Sequence, residues 1–257
     1  MLRHRVIPVL LHNTDGLVKT RNFKDPVYIG DPINAVRIFN LKEVDELIFL
    51  DISCTKLGRE PNFDLIERIT SECFMPLGYG GGIKNIEQAK KLFAIGIEKL
   101  IIQAAAIEKP SLISQIANFS GSQSLSISVD VFRDKLGNYR IYQASKRRAS
   151  DLNLRSYLKS LENFGAGEIF LTSVNAEGTM AGFDLQLIEE VQSIVRVPLV
   201  AHGGARTVED FAKAISAGAD AVAAGSMFVF YQSRNGVLIN YPDYDDLELM
   251  LGNKSEI

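Results

Sequence analysis

Cysteine and histidine are scarce in these 257 residues, and the shortage narrows the chemistry. Only Cys54 and Cys73 occur, far from any CxxC spacing, and His4, His12 and His202 are scattered with no ligand pair on one helix face. Neither a structural metal nor a bound cofactor is therefore expected. Positive charge is also in short supply: a formal net charge of −3 and a pI near 5.7 provide no general basic field, which argues against a nucleic-acid partner. No apolar run approaches the roughly 20 residues needed to cross a bilayer. The opening MLRHRVIPVLL runs on into a strand rather than a cleavage region, and the reading is a soluble cytoplasmic protein with no membrane partner. Low-complexity tracts are missing as well, so a chain that is 46% hydrophobic has the makings of one large α/β domain.

What the chain does have is a long internal repeat. Met75 to Ala106, MPLGYGGGIKNIEQAKKLFAIGIEKLIIQAAA, returns 122 positions later (Pro76 against Pro198) as VPLVAHGGARTVEDFAKAISAGADAVAAGSMF. Gly81 and Gly82 match Gly203 and Gly204, Glu87 matches Glu209, and Gly96 matches Gly218. Each copy reads as strand, glycine turn, amphipathic helix, strand, which is a βαβ unit. A lone glycine run is explained by a tight turn that needs positive φ. Its duplication, each time between a strand end and a helix start, favours two cradles whose backbone N–H groups and helix dipoles hold phosphate.

Taken in order, RVIPVLL (Arg5 to Leu11) is a strand buried on both faces, followed by a turn at Asn13 to Gly16. Leu17 to Gly30 is too long and polar for a tight turn and carries Lys19, Arg21 and Lys24, as a mobile lid over an anionic ligand would. ELIFLDI places Asp51 at the end of a second strand. LSISVDV carries one charge, Asp130, and an unpaired carboxylate buried in a strand costs several kcal/mol, so Asp130 is either at the open end or held by partners. A β-hairpin is expected between Arg133 and Ser145, followed by Lys146, Arg147 and Arg148.

Eight strands alternating with helices give the expected fold: an α/β (βα)8 TIM barrel made of two similar half-barrels. It is expected to occupy 1–240, with 241–257 a polar, partly disordered tail. In such a barrel Asp51, Gly82, Gln103, Asp130, Glu177, Gly204 and Ser226 converge at the carboxyl ends of the strands. Arg5, Glu46, Lys99 and Glu168 instead begin strands one, two, four and six. Two positive and two negative charges would ring the floor, and a self-satisfied structural cluster is one account of them.

RVIPVLL, DELIFLDI, GYGGGI, EKLIIQAAA, SISVDVFRDK, GAGEIFLTS, EGTMAGFD and AHGGA together resemble the cyclase subunit of imidazole glycerol phosphate synthase over nearly the whole chain. The resemblance implies a substrate with two phosphates, bound with contacts at Gly82, Gly204, Gly225 and Ser226, and Lys19, Asp51, Gln103, Glu177 and Gly178 are expected to contact the same substrate. It implies a separate glutaminase docked on the floor as a heterodimer, with Glu98 at the docking surface. Ammonia would then pass a gate made by Arg5, Glu46, Lys99 and Glu168. It also implies general acid and base work by two aspartates, of which Asp130 matches the second while Leu11 stands where the first belongs. Gln103, Ala104, Asn175, Glu177 and His202 are further departures on the same face. The segments LVKT, GDPINAVRIFN and FMPL and the ending MFVFYQ…GVLINYP look closer to a subgroup associated with surface polysaccharide, which is thought to help amidinate an acetamido sugar.

The reading favoured by the sequence is thus a synthase subunit of a glutamine amidotransferase. It passes ammonia to a phosphorylated or nucleotide-linked sugar, bound here or on a sugar amidotransferase, in lipopolysaccharide-type biosynthesis. The alternative is a true cyclase making imidazole glycerol phosphate and AICAR from PRFAR in histidine biosynthesis. A third reading is a non-catalytic scaffold that activates a glutaminase.

Overall fold

A computed structural model describes residues 4–231 and 236–252. Eight parallel strands close into a ring: β1 Arg5–Asn13, β2 Leu47–Asp51, β3 Leu77–Gly80, β4 Lys99–Ile102, β5 Leu125–Arg133, β6 Glu168–Ser173, β7 Leu199–His202 and β8 Ala221–Ala224. Each pairs with the next, β8 pairs with β1, and no barrel edge is left open. The fold is the (βα)8 barrel expected from the alternation of elements. The repeat survives in three dimensions: Leu77–Gly80 and Lys99–Ile102 recur at the same offset as Leu199–His202 and Ala221–Ala224, with a helix between each pair.

The helices start where their sequences supply a cap. Asn85 accepts from Gln88 N ahead of Ile86–Ile95, and Thr207 with Asp210 forms a capping box ahead of Val208–Ser216. Outside the ring, Phe39, Leu92, Ile116, Leu161, Val191 and Phe211 seat the helices on the strands in a continuous buried cluster. A smaller cluster of Ile7, Val9, Leu11, Ile48, Ile101, Phe170 and Val200 fills the inside. The division follows from the strand period of two: on β1, Arg5, Ile7, Val9 and Leu11 face inward while Val6 and Leu10 face the helices.

Two expectations change. The Leu17 to Gly30 loop is a β-hairpin, with Gly16–Arg21 pairing against Lys24–Gly30 and continuing from β1. The barrel also does not end at 240. Tyr244–Leu251 is a helix that packs on Val208–Ser216 with Leu247 and Leu251 buried, and Tyr241 Oη donates to Val6 O at 2.9 Å. The two leucines lie four apart on one helix face, which gives an otherwise acidic segment an apolar stripe to bury. The end of the expected tail, residues 253–257, lies outside the described residues.

Candidate active site and barrel floor

The strand period places four inward-facing charges at the base of the barrel. Arg5 donates to Glu46 through Nη1 and to Glu168 through Nη2, the latter at 2.6 Å. Lys99 Nζ lies 3.2 Å from Glu46 and 3.1 Å from Glu168. Each cation bridges both carboxylates, so the four predicted floor residues form one closed ring. Glu46 and Glu168 are buried, while Arg5 keeps partial contact with solvent. Glu98 is exposed on the same side.

Above the ring, Ile7, Ile48, Ile101, Phe170 and Val200 make most of the barrel wall apolar, and β5 brings hydroxyls into it. Ser126 lies beside Glu168 in register and Ser128 beside Phe170, and Asp130 follows at the rim. Ser126 Oγ is fully buried and has no hydrogen-bond partner. Ser128 Oγ donates to Asp130 at 3.1 Å, and Gln103 Nε2 donates to the other carboxylate oxygen. Burial pushes the Asp130 carboxyl up to about 7, against these hydrogen bonds and with help from Glu177. A group with that pKa exchanges its proton at neutral pH, as a general acid or base must.

A cavity of about 660 Å³ opens at this end, lined by Leu11, Asp51, Gly82, Gln103, Asp130, Glu177 and His202, with Lys84, Lys109 and Arg147 among its cations. Beside it is a small space bounded by Lys19, Gly178, Gly204, Gly225 and Ser226, and Leu11, Glu177 and His202 border both. The structure therefore brings the predicted residues together as two adjoining pockets. Lys19 is buried at 3% exposure, donates to Val9 O, and is brought down to about 7 by burial despite Glu177. A Cβ at Gly225 would stand 2.5 Å from its Nζ, so Gly225 is the opening over which this amine sits.

Several predicted contacts have other business. Asp51 accepts from Ser53 N, Ser53 Oγ and Cys54 N at 2.7 to 2.9 Å, and these bonds with His12 hold its pKa well below the ordinary value although burial opposes them. It braces its own loop at the cavity edge. The Gly82 N–H already meets Thr55 Oγ1 at 3.2 Å. Gly204 is needed for close packing, because a Cβ there would lie 2.0 Å from Gly182 O. Glu177 accepts from Thr20 Oγ1 and Phe23 N, each at 2.9 Å, while Asn22 N donates to the Glu177 carbonyl. Its carboxylate clasps the β1 hairpin to the loop after β6. Of the basic run, Arg147 reaches the cavity and Lys146 pairs with Glu108 at 2.7 Å.

Two rim residues were not among the sequence candidates. Thr172 and His202 occupy the inward positions next to Asp130 on β6 and β7. Thr172 gave no signal in an apolar strand. His202 was visible only as a departure from the family pattern. Among the described residues no group of three or more His, Cys, Asp or Glu side chains is placed to hold a metal ion, and no helix is long and apolar enough to cross a membrane.

The family described as histidine biosynthesis protein matches residues 5–234. A protein of Pseudomonas aeruginosa, provisionally named imidazole glycerol phosphate synthase subunit hisF2, is 47% identical over 250 residues, covering 97% of this chain and all of the relative. A similarly named HisF of Leptospira borgpetersenii is 46% identical over 97% of this chain and 99% of its own length. The imidazole glycerol phosphate synthase subunit HisF of Thermobifida fusca is 40% identical over 88% of this chain and 90% of its own.

Proposed function

The chain belongs to the histidine biosynthesis protein family, among the HisF-type cyclase subunits, and from that premise we propose that it is the ammonia-using synthase subunit of a glutamine amidotransferase. The observation that carries this reading is the vertical order of its parts. A closed ring of two cations and two carboxylates seals the barrel floor, and a buried carboxylate poised near neutrality stands at the opposite mouth. A separate glutaminase docks on the floor face. That face also exposes Leu41 and Phe74, 84% and 88% accessible, as apolar contacts for a protein partner. Ammonia released there passes the ring when Lys99 or Arg5 swings aside, and then meets the Ser126 and Ser128 hydroxyls below Asp130.

The relatives' names make PRFAR the first acceptor to test, with Lys19 and the Gly225–Ser226 turn holding one phosphate and the cation-lined side of the large cavity the other. Imidazole glycerol phosphate and AICAR would be the products, and Asp130 the proton-handling carboxylate. The second reading, amidination of a phosphorylated or nucleotide-linked sugar, is favoured by Leu11, an aliphatic side chain bordering both pockets where the resemblance calls for an aspartate. The relatives' names weigh toward the cyclase over the order of preference drawn from sequence alone.

Turnover of PRFAR by the purified chain with ammonium salt, and with glutamine once a glutaminase is added, decides between them. The expected result is imidazole glycerol phosphate formation that is lost in Asp130→Asn. No product at saturating ammonia, together with nitrogen transfer to a nucleotide-linked acetamido sugar, would establish the second reading instead.

A further inference from the structure

We propose that His202 is the outer end of a proton relay that crosses three adjacent strands through Thr172 to Asp130. The three residues are register partners: Asp130 with Thr172 across β5 and β6, Thr172 with His202 across β6 and β7. Residues level with one another on parallel strands turn their side chains to the same face, here the barrel mouth. Thr172 Oγ1 lies 3.2 Å from His202 Nδ1, and Thr172 is the register neighbour of Asp130 across β5 and β6, where its hydroxyl lowers the carboxyl's pKa. The imidazole rests against Phe170, with ring centroids 5.1 Å apart, and borders both pockets.

The direction of the row follows from counting protons. A hydroxyl has one hydrogen to give. While Asp130 is ionised it can only accept, so Thr172 donates to it and must itself accept from His202. The imidazole then carries its hydrogen on Nδ1, and Nε2 is left as a bare base. When Asp130 is protonated the order reverses, Thr172 donates to Nδ1, and the imidazole hydrogen sits on Nε2.

A proton taken from a substrate nitrogen can therefore travel the row without leaving a charged ring behind. The substrate N–H breaks as Nε2–H forms, the Nδ1 proton moves to Thr172 Oγ1, and the Thr172 proton moves to Asp130. One proton has passed from substrate to carboxylate, and the reverse sequence returns it. The groups facing the row suit this task. Burial and the neighbouring Lys19 hold His202 down to about 3, which keeps the ring neutral, and Glu177 and Tyr157 are the charged or titratable neighbours of Asp130. Leu11 can neither donate nor accept, so the relay brings a proton acceptor to the pocket that Leu11 borders.

Use of the relay in catalysis rests on the function proposed above, but its existence does not. The test is nitrogen-15 NMR of the imidazole rings in the full chain between about pH 5.5 and 8.5. His202 should stay neutral throughout and change from the Nε2–H to the Nδ1–H tautomer with a midpoint near 7, where Asp130 titrates. Asp130→Asn and Thr172→Val should each abolish the change, and Thr172→Ser should restore it. A single tautomer across the range in the unmodified chain, or an ordinary imidazolium titration near 6.5, would overturn the relay. In PRFAR turnover with ammonia, Thr172→Val should lower kcat about 10²-fold with KM little changed, and serine should rescue it. An unchanged kcat removes the relay from the reaction. A tautomer switch in a chain that never turns over PRFAR tells against that acceptor and leaves the relay standing.

Discussion

Asp130 ionises near 3.8 when free and near 7 in the fold, and the difference makes stability depend on pH. Between those values the folded chain keeps a proton that the unfolded chain has lost, so stability falls as pH rises through this window. His202 acts in the opposite sense. Its folded pKa of about 3 lies below the ordinary 6.5, so it contributes stability that grows as pH rises between those two values. The two slopes offset each other over much of the acid range, and substitution separates them. Asp130→Asn is expected to stabilise the protein at about pH 8 by on the order of 2–4 kcal/mol and to do little near pH 4, which urea denaturation of both proteins at each pH would measure. Equal effects at the two pH values would show that Asp130 titrates normally. Ser126→Ala should also stabilise, by roughly 1 kcal/mol or more, because it removes a buried hydroxyl that has no partner. Asp130 was legible in the sequence as the one charge in LSISVDV. The role of His202 was not, because Thr172 and Asp130 lie on neighbouring strands that only the closed ring brings level with it.

Among the elements, the β1 hairpin was visible as an unusually long connection but not as paired strands. Its turn places Asn22 and Phe23 at φ 53° and 61°, with no glycine to announce the reversal. Phenylalanine is an unfavourable residue at positive φ, and it is retained here because its N–H and its neighbour's N–H both reach Glu177. The hairpin is thus specified by a residue more than 150 positions away. Glu177→Gln keeps the size of the clasp and removes its charge, so trypsin should cut at the exposed Lys24 several-fold faster while the rest of the barrel resists. An unchanged cleavage rate would mean that the strand pairing alone holds the hairpin down. The glycine-rich turns divide in a similar way. A methyl at Gly204 meets backbone at 2.0 Å, whereas one at Gly225 meets the far end of the Lys19 side chain. Gly204→Ala should therefore lower thermal stability by several degrees. Gly225→Ala should fold normally and weaken inorganic phosphate binding, measured by calorimetry. The sequence marked both glycines as phosphate contacts because backbone crowding and ligand contact leave the same letter in the chain.

For the molecule as a whole, the barrel could be read from alternating elements and a repeat that predicts even the offsets of its strands, because both features are local in sequence. The helix Tyr244–Leu251 was missed for the converse reason: its two buried leucines sit in an acidic segment and acquire meaning only against Val208–Ser216. The floor tests whether the two ends of the barrel work together. Lys99 is the less exposed of its two cations, and it spans both carboxylates. Removing its charge while keeping its bulk, as in Lys99→Met, leaves Arg5 to hold Glu46 and Glu168 and opens one side of the ring. Breaking a buried ion-pair network by deleting one partner is destabilising by about 3–5 kcal/mol, so a melting curve must first show that the variant is folded at the assay temperature. In a complex with a glutaminase, glutamine hydrolysis should then continue while the nitrogen incorporated per glutamine consumed falls several-fold. Turnover with free ammonium salt, which reaches the mouth without crossing the floor, should be little changed. If incorporation stays matched to glutamine consumption in the folded variant, the ring is a structural cluster and the proposed ammonia path fails. If turnover with free ammonia collapses as well, the substitution has reached the mouth of the barrel, and the floor and the reaction site are one cooperative unit rather than two stations on a path.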